Sequence, residues 1–192
     1  MIKLFKVATI LSITLLISAC GTTNIPVGTN PQLDADAGIL VFGLSPNYRI
    51  HLTRGGTENN TWNRPHLDVP EINVNPEKGY IVVKARRTSG SQALGVSLIF
   101  PEGRTYGPCQ GADSPTFVVM PGVVNYAGDL NYAFDDGGLR YALTLDENKV
   151  RTFLDENYPK FTDKLVVQPM TIMKTNSNFC AAKTITIQMP SK

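Results

Sequence analysis

The residues best suited to hydrolytic or metal chemistry are the two histidines of the chain, His51 and His66. A zinc site needs three or four converging ligands, and the sequence offers one plausible set: His51, His66, Asp68 and Glu71. His66 with Asp68 could also serve a hydrolase as a general base, but no serine stands in the G-x-S-x-G pattern that presents a nucleophile. We therefore expect surface histidines, no metal, no cofactor and no enzymatic activity, with a hydrolase as the weakest alternative.

Two adjacent carboxylates, Asp135 and Asp136, come directly before two glycines. Paired carboxylates could hydrolyse a glycosidic bond if they faced each other across a cleft. Asp before Gly is also typical of hairpin turns, since Asp tolerates the backbone conformation that such turns need. The turn is the interpretation that we favour.

The segment 53–79 is the strongest candidate for a recognition surface because it combines basic, aromatic and amide side chains in one long connection. Its candidate binding residues are Arg54, Trp62, Arg64 and His66. Trp and Arg are frequent at recognition sites, where they stack and form directional hydrogen bonds. Two alternatives stay open: the loop binds a cell-wall or surface glycan, or Trp62 packs under the loop. We favour packing.

The first twenty residues have the three-part organisation of a secretory signal peptide. A basic start precedes an apolar stretch from Val7 to Ile17, which is short for a membrane-spanning helix of roughly 20 residues. The sequence Ile17-Ser18-Ala19-Cys20 resembles the lipobox of bacterial lipoproteins, with Ile17 where Leu is commoner. The resemblance implies that residues 1–19 are a lipoprotein signal peptide, and that the Cys20 thiol and amino group are acylated.

Acylation of Cys20 would hold the protein on a membrane. Each buried methylene contributes about 0.8 kcal/mol, so one chain anchors marginally and three anchor durably. Gly21 follows the cysteine, whereas Asp at this place is the family's signal for retention in the inner membrane. The resemblance therefore implies the outer membrane, on its periplasmic face or at the cell surface. The expected partners are the membrane, through the lipid, and an envelope protein.

Charge gives no support to nucleic acid as a partner. Without Lys3 and Lys6, which belong to the signal peptide, the 18 basic residues of the chain fall to 16, the number of acidic ones. Such a balanced surface does not attract polyanions over a distance, and the chain contains no basic run.

Two cysteines, Cys109 and Cys180, remain once Cys20 carries lipid. In an exported chain, an even number of remaining cysteines favours a disulfide, because the compartment is oxidising. A bond that closes so long a loop would stabilise the fold by about 4 kcal/mol, less any strain. Two buried thiols or a metal pair are the alternatives, but no further ligand lies at the right spacing.

The secondary-structure elements that would position these candidate residues are mostly strands. Residues 20–37 are poor in large apolar side chains, so we expect a flexible tether there and a single domain over 38–192. Apolar or alternating runs predict strands at 39–44, 48–54, 80–87, 93–100, 116–120, 123–134, 139–145 and 183–189, with a further edge strand at 165–170. One helix, capped by Asp146 and ended by Pro159, presents Val150, Phe153, Leu154 and Tyr158 at helical spacing.

This pattern predicts a mainly β protein, an antiparallel immunoglobulin-like β-sandwich with one short helix in its C-terminal half. Parts of it, FVVMPGVVNYAGDLNY and YALTL, resemble small bacterial lipoproteins with sandwich domains. The functional expectation is a non-enzymatic, lipid-anchored interaction or accessory module of an envelope assembly. The alternatives are a glycan-binding module and, last, a hydrolase.

Overall fold

A computed structural model of the chain describes residues 22–66, 69–135, 138–177 and 186–188. Within these residues the chain forms twelve strands, one α-helix and one turn of 3-10 helix, Thr162–Lys164. The strands and the helix are β1 Ala37–Ser45, β2 Arg49–Glu58, β3 Thr61–Asn63, β4 Ile72–Val74, β5 Tyr80–Arg86, β6 Gln92–Phe100, β7 Asp113–Phe117, β8 Val124–Asp135, β9 Gly138–Thr144, α1 Glu147–Asn157, β10 Leu165–Val167, β11 Thr171–Thr175 and β12 Thr186–Gln188.

Two sheets make up the fold. The open sheet has the strand order β12-β9-β8-β1-β5, with β10 also paired to β8. In the second sheet β3 pairs with both β11 and β2, so the strands β2, β3, β11, β7 and β6 close into a barrel and β4 extends β2 outside it. We refer to this second sheet as the barrel.

The prediction of a mainly β protein is confirmed, but the immunoglobulin-like sandwich is not, because one sheet closes into a five-stranded barrel. The strands are also not purely antiparallel. The pairs β1–β8, β10–β8, β11–β3 and β12–β9 are parallel. Parallel neighbours need long connections, and residues 46–123 lie between β1 and β8, so their pairing could not be inferred from adjacency along the chain.

The open sheet is buried on both faces. Leu40, Phe42 and Leu44 of β1 pack in one apolar cluster with side chains of the barrel. Ile39 and Val41 of the same strand pack in a second cluster, with α1. A strand buried on both faces needs apolar side chains at every position, which explains the continuous run ILVFG at the centre of this sheet.

The predicted helix after Asp146 is confirmed as α1. The Asp146 carboxylate accepts a hydrogen bond from the backbone N–H of Lys149 at 3.0 Å, and Val150, Phe153 and Leu154 are buried against the open sheet. No helix in the described ranges is long and apolar enough to cross a membrane.

The segment 22–36, part of the range 20–37 for which the sequence predicted a flexible tether, contacts the domain at several points. Ile25 is buried in the α1 cluster, its backbone N–H donates to Val82 at 2.8 Å, and its carbonyl accepts from the Tyr158 hydroxyl at 2.7 Å. Thr22 forms a bridge with Ile72. The segment runs along the edges of β4 and β5, whose free backbone groups it satisfies in part.

Candidate functional site

The four candidate binding residues of segment 53–79 do not form one exposed surface. The Arg54 guanidinium donates two hydrogen bonds to the Glu71 carboxylate, both at 2.8 Å. It also donates to the carbonyls of Arg86 and Arg87, at 2.9 and 3.0 Å. Bidentate arginine–carboxylate pairs are among the strongest polar contacts in proteins. Arg54 therefore fastens the loop to β5 and is not available to a ligand.

Trp62 is fully buried, with 0% of its surface exposed. Its ring lies against Gly55 of β2 and Gly95 of β6, where a Cβ atom would overlap ring atoms. Glycine in a strand often marks such a close approach. Packing, the alternative that the sequence favoured for this residue, is what the structure has, and no face of the indole is open to a sugar.

Arg64 and His66 differ in exposure. Arg64 is only 8% exposed and its guanidinium lies close to Gly107, whereas His66 is exposed. Asp68, the proposed neighbour of His66, lies outside the described residues.

The other two residues of the possible zinc set have partners of their own. His51 packs on Phe100 with ring centres 4.5 Å apart, and Glu71 is bound by Arg54. Within the described ranges no group of three metal-ligating side chains is found.

Cys109 lies in the loop between β6 and β7, while Cys180 is outside the described residues, as are Cys20 and Asp136. The neighbour of Cys109, Gln110, donates its N–H to the Ser177 carbonyl at 2.8 Å. Three residues reach about 10 Å at most, so Cys180 has the reach to meet Cys109 at the 4.4–6.8 Å Cα separation, roughly, that a disulfide needs. The bond between Cys109 and Cys180 stays a prediction.

A polar cluster lies beneath the first turn of α1. Asp129, which is 4% exposed, accepts a hydrogen bond from the Tyr126 hydroxyl and another from the Lys149 ammonium, both at 3.0 Å. Gly43 of the neighbouring strand leaves the space that the Asp129 carboxylate occupies. Burial raises the pKa of the Tyr80 and Tyr126 hydroxyls well above their usual range. Both oxygens of Asp129 have partners, so the cluster holds α1 on the sheet.

One described cavity, lined by aromatic and charged side chains, lies at the end of β1, around the turn into β2. Its volume is about 350 Å³, within the general range of roughly 300–1,000 Å³ for ligand sites. We call it the tyrosine pocket; it is lined by Pro46, Tyr48, Pro101, Glu102, Arg104, Tyr106, Tyr132 and Ala133. Sequence reasoning missed it because its residues come from three separate stretches of the chain.

Local structure fixes the rim of the tyrosine pocket. Arg104 donates its backbone N–H to the Pro101 carbonyl at 2.8 Å, closing a turn in which Glu102 and Gly103 both have positive φ. Two positive φ values are typical of a type I′ turn. Beyond it, Tyr106 exchanges two backbone hydrogen bonds with Ile99, at 2.8 and 2.9 Å. The turn thus projects Glu102 and Arg104 as exposed side chains beside the tyrosines.

The tyrosines of the pocket have fixed positions. Tyr132, 7% exposed, packs edge-on against Tyr141 with ring centres 5.7 Å apart, and Tyr48 and Tyr106 are half-buried beside the core. The Tyr106 hydroxyl hydrogen-bonds Arg104 and raises the pKa of its guanidinium. Arg49 lies 4.2 Å above the centre of the Phe100 ring, next to the pocket. The pocket is therefore a rigid aromatic floor with charged side chains at its edge.

Comparison with known proteins does not assign the chain to a family. No protein-family model, no curated protein and no solved structure matches the chain.

Proposed function

We propose that this protein is a lipid-anchored protein of the cell envelope, attached through Cys20, and that it acts as a non-enzymatic interaction module. The tyrosine pocket is the observation that carries the binding part of this proposal. Tyr and Arg are enriched among residues that dominate binding energy at protein interfaces, because they combine a large apolar surface with hydrogen-bonding groups. A rigid pocket also loses little conformational entropy on binding.

The size and exposure of the tyrosine pocket favour a protein partner over a glycan. A volume of about 350 Å³ accommodates one or two side chains of a partner. None of its three tyrosines is fully exposed, so the pocket lacks an open aromatic platform on which a sugar ring could stack. The glycan alternative depends on the segment 53–79, in which Trp62 is buried and Arg54 is bound to Glu71. Glu102 and Arg104 at the rim give the site both charge signs, which suits a partner segment with complementary charges.

Site-specific crosslinking in living cells tests the binding role. A photoreactive amino acid replaces Arg104, at the rim, and in a second strain replaces Asp155, an exposed residue on α1 that serves as a control. We expect a discrete crosslinked product only for position 104, and its loss when Tyr48→Ala is added. Equal crosslinking from both positions, or a product that survives Tyr48→Ala, would refute binding at the tyrosine pocket.

Fatty-acid labelling tests the anchor separately. Cells expressing the full chain are fed a clickable fatty acid, and we expect the protein to take up the label in the wild type and not in Cys20→Ser. Fractionation of the envelope should place the wild type with the outer membrane, as Gly21 after the cysteine implies by the resemblance. A Cys20→Ser chain that still takes up label would refute lipid attachment at this residue.

A further inference from the structure

The described part of the chain begins at Thr22, two residues after the proposed lipid attachment site. Thr22 donates its backbone N–H to the Glu71 carbonyl at 3.2 Å. Asn24 follows: its side-chain amide accepts from the Val82 N–H at 3.2 Å and donates to the Asn75 carbonyl at 2.5 Å. Two residues span about 7 Å. If Cys20 carries acyl chains in a bilayer, the region around Thr22 has to lie close to the headgroups.

Three arginines and an exposed apolar side chain lie near Glu71, whose carbonyl accepts the Thr22 N–H. Glu71 is bound by Arg54, and Arg86, 77% exposed, has its guanidinium 3.6 Å from the same carboxylate. Arg87, 63% exposed, lies 3.8 Å from Asp36. Three arginines thus face two acids. Val69, two residues before Glu71 along the chain, is 75% exposed, the highest fraction among the exposed large apolar residues of the described chain.

We propose that this surface, formed by Val69, Arg86 and Arg87 around Thr22, is a membrane-contact surface that lies on the leaflet holding the Cys20 acyl chains. The proposal rests on the lipid attachment proposed above. Its partner is a bilayer with anionic phospholipid. Arginine binds phosphate by paired hydrogen bonds, basic residues close to a membrane are attracted by its negative surface potential, and an exposed valine fits the interfacial region. The short connection then gives the domain a fixed orientation.

The test uses the mature lipidated chain, purified from membranes and reconstituted in vesicles of phosphatidylethanolamine and phosphatidylglycerol. Val69→Trp places a second indole on the membrane-contact surface, while the single native Trp62 is buried and contributes a constant background. Leu145→Trp is the matched control: Leu145 is 56% exposed and packs near Gly128 of β8, two strands away from β5. We expect lipids brominated in the upper part of their acyl chains to quench Val69→Trp at least twofold more strongly than Leu145→Trp.

A second variant tests the charges. Arg86→Gln with Arg87→Gln, added to Val69→Trp, should lower this quenching in vesicles that contain phosphatidylglycerol and change it little in vesicles of phosphatidylcholine alone. Equal quenching of the two indoles in protein that floats with the vesicles would overturn the membrane-contact surface and leave the anchor intact. A chain that does not float with the vesicles would overturn the anchor, and the surface with it.

Discussion

At the scale of single residues, the environment of Trp62 decides its role. Its position in a long polar segment allowed two interpretations, recognition and packing, of which packing was favoured. Trp62 is buried against Gly55 and Gly95, as packing requires. Gly55 lies in this segment, directly after the predicted strand 48–54, and Gly95 lies outside it, within the predicted strand 93–100. A sequence shows that a glycine interrupts a strand, but the partner that fills the space comes from another strand and is therefore hidden.

Gly55→Ala should destabilise the protein, since the new Cβ would overlap the Trp62 indole and the Asn63 carbonyl. Overpacking of a core costs about 1–3 kcal/mol, and we expect a loss of that size in the free energy of unfolding, measured by urea titration with circular dichroism. The adjacent glycine provides the control. At Gly56 the nearest atoms to a new Cβ lie 3.9 and 4.0 Å away, so Gly56→Ala should leave stability nearly unchanged. Equal losses at both positions would contradict the packing role of Gly55.

Tyr158 should make stability fall at high pH. Burial raises the pKa of its hydroxyl to about 12, against about 10 in an unfolded chain. Between these values the folded state keeps a proton that the unfolded state releases, so the free energy of unfolding decreases as pH rises from 10 to 12. Tyr158→Phe lacks this titration, and we expect it to lose less stability across the same window.

Urea titrations followed by circular dichroism at pH 8, 10, 11 and 12 measure the effect of Tyr158→Phe. At pH 8 the variant should be less stable by about 1 kcal/mol, because the hydrogen bond to the Ile25 carbonyl is lost. Other buried tyrosines have raised pKa values too, among them Tyr132 and Tyr141. The stability of Tyr158→Phe should therefore still decline as pH rises, but by less than that of the wild type. Parallel declines in wild type and variant would contradict the role of Tyr158.

At the scale of elements, strong local sequence patterns were sufficient to predict helices and strands, and weak ones were not. The predicted helix and the long strands were found, whereas the three-residue strands β3 and β4 have too few residues to show a period. The contacts of segment 22–36 with the domain were not predicted, for another reason. It contributes one fully buried apolar side chain, Ile25, and is held mainly by hydrogen bonds to β5 and Tyr158. Composition does not reveal contacts of this kind.

The helix α1 depends on its N-cap residue, Asp146, which precedes the first helical residue. Asp146→Ala removes the carboxylate that accepts the Lys149 N–H, and loss of an N-cap costs about 1 kcal/mol. Asp146→Asn keeps an oxygen that can accept the same hydrogen bond, so it should retain most of the stability and serves as the control. Urea titration of both variants measures the difference. If the two substitutions cost the same, capping is not the role of Asp146.

At the scale of the whole molecule, the two proposed surfaces lie at opposite ends of one strand. Arg86 pairs with Ala37 at the start of β1, next to the membrane-contact surface. Pro46, at the tyrosine pocket, follows Ser45 at the end of the same strand. A nine-residue strand measures about 26 Å between its end residues at roughly 3.3 Å per step. A domain held by its arginine end would thus present the tyrosine pocket away from the bilayer, where a partner can reach it.

This arrangement predicts that the two surfaces can be inactivated independently. Sites this far apart with no shared contacts are expected to behave additively. Tyr48→Ala should remove the crosslinked product formed by the photoreactive residue at position 104 and leave bromolipid quenching of Val69→Trp unchanged. Arg86→Gln with Arg87→Gln should weaken the quenching and leave crosslinking unchanged, because Cys20 still holds the chain on the membrane. If loss of the arginines also removed the crosslink, the orientation of the domain would be needed for partner binding, and the two ends would not be independent.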